Sequence, residues 1–215
     1  MLQAVNRIDR NKEIGDYWDS VAKKRINPQK SRASDNWEKR TNFMKLLLNH
    51  PLKKDEKILE IGAGLGYTIN ILQAIYTSRQ IYYTSTDTSP IFQRFMRDVQ
   101  HQPCEIATID NLPFEDEQFS RVWLFDVLEH VDPGIREKAG QEVGRVLAPH
   151  GLIFINNPLS ASRHDDKFDF GFSQVDIGNF CEQTKSILSS VTIHSSFKSC
   201  FYQFIVLEKI YNDND

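Results

Sequence analysis

Cysteine is scarce in this chain of 215 residues: Cys104, Cys181 and Cys200 are all there is. The set is odd and scattered, with no C-x-x-C spacing, which excludes a disulfide framework or zinc site and fits reduced thiols in a cytosolic protein. No run of about eighteen apolar residues occurs, and no basic stretch leads into an apolar one after Met1. Neither a membrane span nor a secretory signal is therefore expected. His, Asp and Glu nowhere cluster at ligand spacing, so no metal is expected. Repeats and low-complexity tracts are also missing. Neither sign of charge dominates, since 26 Lys and Arg face 29 Asp and Glu for a formal net charge of −3. A dedicated nucleic-acid-binding protein is usually basic overall, so a nucleic-acid partner is not expected. The charge is unevenly placed. Residues 1–54 hold 13 basic against 6 acidic side chains, and the remainder holds 13 against 23. A basic front on an acidic body either docks against that body or meets an anionic acceptor.

The length fits one α/β domain with one buried core, residues 1–215. Short apolar runs predict strands near 57–61, 81–86, 104–108, 120–125 and 151–156, with helical patterns near 66–76, 90–100 and 134–147. Such alternation implies a mostly parallel sheet covered on both faces and joined by right-handed crossovers. Ahead of it, residues 1–50 form an N-terminal arm or cap. Residues 1–35 are polar and show little apolar periodicity. Tyr17 and Trp18 interrupt them, either as an anchor into the core or as part of a lid over a ligand. Asp35-Asn36-Trp37-Glu38 opens a helix by an N-cap pattern, with Trp37, Phe43, Met44, Leu47 and Leu48 at spacings that can share a face. Behind the core, a helix is expected over 174–188. Two β-rich runs follow, Ser190–Ser196 and Phe201–Lys209, and read as an antiparallel hairpin.

The stretch that organises the chain is Leu59-Glu60-Ile61-Gly62-Ala63-Gly64-Leu65-Gly66, a strand end followed by three alternate glycines. Glycine is used where backbone takes positive φ or comes within contact of a ligand. A dinucleotide fingerprint requires G-x-G-x-x-G so that pyrophosphate meets the helix N-terminus. The spacing here is G-x-G-x-G, and Glu60 would repel a pyrophosphate while favouring an ammonium or sulfonium. The charge pattern points to a zwitterionic ligand. Asp87 closes the next β-rich run, 27 positions after Glu60, where an acid can accept hydrogen bonds from ribose hydroxyls. Asp110-Asn111-Leu112-Pro113-Phe114, with Asp116 and Phe119, and then Phe125-Asp126-Val127-Leu128-Glu129-His130-Val131 supply further edges of the same crevice.

These four motifs, in this order over residues 57–157, make the chain resemble the class I S-adenosylmethionine-dependent methyltransferases, in the small-molecule branch with the D-x-L-P-F-x-D and D-V-L-E-H-V patterns. The resemblance implies a doubly wound, seven-stranded, mostly parallel sheet with an antiparallel C-terminal strand. It implies S-adenosyl-L-methionine as donor and S-adenosyl-L-homocysteine as product. Residues 55–157 would then be the donor-binding core and 158–215 the acceptor loop with the C-terminal helix and hairpin. By the same resemblance, Gly62, Gly64 and Gly66 line the methionine portion with Glu60 beneath, and Asp87 with Thr88 takes the ribose. Asp110 accepts from the adenine amino group beside Asn111 and Leu112. Phe125 and Asp126 border the methionine amine and the methyl, and Tyr17 closes over the donor. Other roles remain open for several of these: Glu60 can cap local amides, and Phe125 can be plain core.

Methyl transfer from a sulfonium needs alignment and exclusion of water, and a base only when the acceptor must lose a proton. His130 and His164 are the candidates. His130 can equally hold its loop by a hydrogen bond. His164 lies in a polar stretch before Phe168, Phe170 and Phe172, which are expected to be buried and to pack over the acceptor. Asn156-Asn157-Pro158 lacks the aromatic and the position of the Asn-Pro-Pro-aromatic motif, so it does not indicate a nucleobase or glutamine target. The expected activity is methyl transfer to oxygen or nitrogen of a small-molecule acceptor by a cytosolic monomer or homodimer. A peptide or RNA acceptor, and a catalytically silent donor-binding module, are the rival readings.

Overall fold

The computed structural model describes residues 2–26, 43–76, 81–158, 168–195 and 201–210. Helix α1 (Leu2–Arg25) comes first, and residues 43–49 form helix α2. The core then alternates: β1 (Glu56–Ile61), α3 (Tyr67–Ile75), β2 (Ile81–Asp87), α4 (Pro90–Asp98), β3 (Cys104–Ile106) and β4 (Phe119–Phe125). Two single 3-10 turns, Leu128–His130 and Pro133–Ile135, lead into α5 (Arg136–Val146) and β5 (Leu147–Pro158). Helix α6 (Gln174–Gln183), β6 (Ser186–Ser195) and β7 (Phe201–Lys209) complete the order. One seven-stranded sheet runs β3-β2-β1-β4-β5-β7-β6. The five strands from β3 to β5 are parallel, and β7 pairs antiparallel with both β5 and β6. The predicted doubly wound sheet with an antiparallel end is therefore what the chain forms.

Successive strand residues face opposite sides, so each strand feeds two cores. Leu59, Val122, Leu124, Ile153, Ile155, Ile205 and Leu207 pack with Val143 and Val146 of α5 and with Ile177 and Phe180 of α6. Ile58, Trp123, Phe154 and Val206 pack on the other side with Phe43 and Leu47 of α2, Ile69 and Leu72 of α3, and Met96 of α4. The sequence changes direction between β1 and β4, and open sheets of this kind hold ligands beyond the carboxyl ends of the strands at that point.

Several boundaries differ from expectation. The polar arm contains α1, whose long straight-chain residues favour helix and whose last turn, Lys23, Lys24 and Arg25, complements the helix dipole. It has no continuous apolar stripe, so periodicity does not reveal it. Helix α6 stops at Gln183, because Thr184 turns its hydroxyl back to the Phe180 carbonyl and Lys185 takes φ 51°. Strand β5 begins at Leu147 rather than Gly151, with a break in register against β4 between Phe119 and Arg121. Of the apolar set expected on the second helix, Phe43 and Leu47 are buried and Met44 and Leu48 exposed. The Asp35–Glu38 cap and Trp37 lie outside the described residues.

Candidate functional site

Gly62, Gly64 and Gly66 all have positive φ, at 72°, 55° and 69°. The Gly62 and Ala63 amides donate to the Thr86 carbonyl at 2.8 and 3.1 Å, which straps the turn to the end of β2. A Cβ on Gly62 would stand 2.7 Å from Cγ2 of Val127, so the turn lies directly against the segment after β4. At Gly64 a Cβ would meet nothing within 4 Å among the described residues, leaving that backbone bare toward open space there. Gly66 instead packs against Met96 of α4.

Glu60 is buried beneath the turn, and its Oε2 accepts from the hydroxyls of Thr68 and Tyr83. Its shown partners are thus side-chain hydroxyls rather than backbone amides. Burial pushes its carboxyl up to about 7, against the opposing effect of the two hydroxyls. Asp87 accepts the Gly64 amide on Oδ2 and the Ser89 amide on Oδ1, each at 2.9 Å. Burial raises it to about 6 although these backbone donors favour the carboxylate. Asp87 thus has a structural task, tying the glycine turn to the start of α4. Each of its oxygens has a second acceptor position. Half-buried Thr88 follows it and faces α1, its carbonyl lying 3.7 Å from where a Cβ on Gly15 would stand.

The third motif divides. Asp110 is 1% exposed in the turn after β3, whereas Asn111 is exposed and Leu112 is core. Arg145 of α5 holds the Leu112 and Phe114 carbonyls, pairs with Asp116 at 2.8 Å, and grips Glu142, which accepts the Leu112 amide. Asp116 belongs to this clamp. A shallow groove lined by Lys57, Pro113, Phe114 and Gln118 lies beside it, near the start of β1 and away from the crevice.

At the end of β4, Phe125 stacks on Trp123 at 6.0 Å and meets Phe43 edge-on, so its ring belongs to the core. Asp126 is half-buried with φ 56°, and its amide and carboxylate both bond to Asn156 of β5. Glu60, Gly62, Gly64, Asp87 and Asp126 therefore lie at the carboxyl ends of the adjacent strands β1, β2 and β4.

The family described as Methyltransferase domain matches residues 59–155, which begin one residue before Glu60 and end one before Asn156. Over these residues, just under half of its length, the chain carries a methyltransferase domain. Its cofactor is S-adenosylmethionine, and the turn at Gly64, tied to Asp87, faces open space among the described residues. A glycine/sarcosine/dimethylglycine N-methyltransferase of Actinopolyspora halophila is 26% identical over 117 residues. That match covers 51% of this chain and 20% of the relative, so the chain spans about a fifth of its length. Among solved structures, the methyltransferase in complex with the Trm112 methyltransferase activator of Haloferax volcanii superposes with a TM-score of 0.74 at 14% identity, covering 94% of this chain and 99% of that one. The geranyl diphosphate C-methyltransferase of Streptomyces coelicolor, with geranyl diphosphate and S-adenosyl-L-homocysteine, gives 0.64 at 13% identity over 79% of each chain. These two likenesses concern the fold.

The end of the crevice under helix α1 is aromatic. Helix α1 crosses the crevice: Asp19 accepts from the Ser89 hydroxyl at one end, and Tyr17 and Trp18 reach the other. Trp18 meets the His130 ring edge-on at 4.9 Å, and Tyr17 meets Phe168 at 5.0 Å. His130 Nδ1 lies 3.1 Å from the Phe168 carbonyl. A carbonyl only accepts, so Nδ1 carries the proton and Nε2 keeps its lone pair. Burial lowers the His130 pKa, which keeps the ring neutral. Of the three phenylalanines, Phe168 lies in this cluster and Phe172 is core, while Phe170 is 37% exposed. His164 lies outside the described residues. Thr68, Tyr83, Asp19, Ser89 and Asn156 are absent from the sequence-based assignment. Strand alternation carries one signal for them: Ile58 pairs with Tyr83 and Glu60 with Ser85, so Glu60 and Tyr83 share a face.

Proposed function

We propose that the chain transfers the donor methyl to an oxygen or nitrogen of a small-molecule acceptor. The observation that carries this reading is His130, neutral, with its proton directed to the Phe168 carbonyl and Nε2 left basic at the aromatic end of the crevice. S-adenosylmethionine supplies a methyl already activated on sulfur, so the protein's part is to hold, align and exclude water. Asp87, with Thr88 beside it, takes the ribose hydroxyls, and Asp110, beside Asn111 and Leu112, takes the adenine amine. Gly62 and Gly64 lie along the methionine portion with Gly66 closing the turn, and Asp126 with the backbone of Phe125 borders its ammonium. Glu60 sets the floor through Thr68 and Tyr83. Tyr17 and Trp18 on α1 roof the crevice, and His130 accepts the acceptor's proton, leaving S-adenosyl-L-homocysteine as the other product. His164 is a second candidate base on the acceptor loop. The N-methyltransferase relative, which acts on glycine, sarcosine and dimethylglycine, supports a small acceptor and favours nitrogen.

A macromolecular acceptor is the second reading. The exposed last turn of α1, Lys23, Lys24 and Arg25, offers it a basic approach. The test is transfer from methyl-labelled S-adenosylmethionine into a cell extract split by size. Label in the small-molecule fraction supports the first reading, and label in protein or RNA the second. Donor binding with no label in either identifies a silent module.

A further inference from the structure

Two acids stand beside the glycine turn, and they are placed differently. Glu60 is 4% exposed, and its Oε2 is engaged by two hydroxyls. Burial also raises its carboxyl to about 7, so its charge is less firmly held than that of an ordinary carboxylate. Asp126 is half-buried and follows directly on β4, one residue before the Val127 side chain that touches Gly62. Its backbone is left-handed at φ 56°, a conformation that L side chains seldom hold without support. Asn156 supports it twice. The Asp126 amide donates to the Asn156 carbonyl at 2.8 Å, and Asn156 Nδ2 donates to Asp126 Oδ1 at 3.1 Å. Asn156 is itself 5% exposed, fixed opposite Phe125 by the β4–β5 register, and its Oδ1 has no hydrogen-bond partner among the described residues. A buried amide with one end orphaned is retained at a cost to stability, which turns attention to what its other end does.

We propose that Asn156 is a positioning residue that aims the Asp126 carboxylate at the ammonium of the donor's methionine end, so that β5 sets a charge contact made by β4. This rests on the reading of Asp126 as a neighbour of that ammonium. It accounts for the Asn156-Asn157-Pro158 segment, which resembles an acceptor motif without its aromatic: the first asparagine serves the donor.

The test is calorimetric titration of wild type, Asp126→Asn, Asn156→Leu and the double variant with three probes. S-adenosylmethionine and S-adenosylhomocysteine both carry the ammonium, and only the first carries the sulfonium charge. 5′-Methylthioadenosine carries neither. Asn156→Leu keeps the number and branching of side-chain heavy atoms while removing both the donor and the orphaned oxygen, and Asn156→Ala replaces it if the leucine variant does not fold. Asp126→Asn is expected to weaken the first two probes equally, by about tenfold or more, which is the scale of a charge-assisted hydrogen bond. Asn156→Leu is expected to weaken both by about threefold to tenfold, to leave methylthioadenosine unchanged, and to add nothing when Asp126→Asn is already present. Loss on Asp126→Asn with none on Asn156→Leu keeps the Asp126 reading and overturns the positioning role. No loss on Asp126→Asn overturns both. Loss confined to S-adenosylmethionine places the carboxylate at the sulfonium and overturns the proposal. An equal loss for methylthioadenosine makes Asn156 merely structural, and additive losses overturn the coupling.

Discussion

Replacing Gly64 with alanine separates the glycine turn's two possible tasks, folding and donor contact. Gly64 sits at φ 55°, so an alanine there carries the left-handed penalty of about 1 kcal/mol. For a chain of this size that corresponds to a fall in Tm of about 2–4 °C. No clash adds to it, because the new Cβ would meet nothing within 4 Å among the described residues. The same methyl would project into open space from the residue whose amide Asp87 accepts, where the donor is expected to lie. Gly64→Ala should therefore melt only slightly lower than wild type yet bind S-adenosylmethionine at least about tenfold more weakly, equivalent to about 1.4 kcal/mol. Gly62→Ala is the matched control. Its Cβ would fall 2.7 Å from Val127 Cγ2 at φ 72°, so overpacking of about 1–3 kcal/mol joins the backbone penalty and the larger loss is in Tm. Thermal melts beside calorimetric titrations read both quantities. A Gly64→Ala protein that binds the donor within twofold of wild type would refute the placement of the donor on this turn.

The stability that Glu60 and Asp87 contribute to the donor-free protein should fall as pH rises from about 4 to 7, an effect opposite to that of a salt-bridged acid. Burial raises Glu60 from 4.5 to about 7 and Asp87 from 3.8 to about 6, so the folded state holds these protons more tightly than the unfolded chain does. Their contribution is complete below the unfolded values and lost as pH passes the folded ones, about 3 kcal/mol for Glu60. Comparing denaturant midpoints of wild type and Glu60→Gln across that range isolates it, and equal slopes for the two proteins would contradict it. Asp87→Ala should weaken donor binding about tenfold or more and also loosen the glycine turn, whose Gly64 amide it accepts. An unchanged donor Kd would remove the ribose assignment. His130→Gln should lower kcat by about a hundredfold while sparing donor affinity if the ring is a base, whereas equal turnover assigns it to holding Phe168 alone.

The parallel core was legible because its signals are local. Glu60 with the alternate glycines, Asp87 at a strand end and the L-P-F and D-V-L-E-H-V segments each declare themselves within a few residues. The family match over residues 59–155 covers that portion. What was not legible depends on partners distant in sequence. Helix α1 has no apolar stripe, and its place over the crevice rests on single contacts, Asp19 with Ser89 and Trp18 with His130. Arg145 looks like an ordinary helix-end cation, yet it clamps the loop of residues 112–116. The L-P-F-x-D pattern thus owes part of its form to packing. Asn156, set aside as an incomplete motif, gains its meaning only when β5 pairs with β4 and brings it to Asp126.

Calorimetric titration of the purified protein with S-adenosylmethionine, S-adenosylhomocysteine and NADH tests donor binding at the glycine turn. Saturable binding of the first two at one site is expected, and none of the dinucleotide. A folded sample that binds neither sulfur nucleoside, or that binds NADH in their place, would contradict donor binding there.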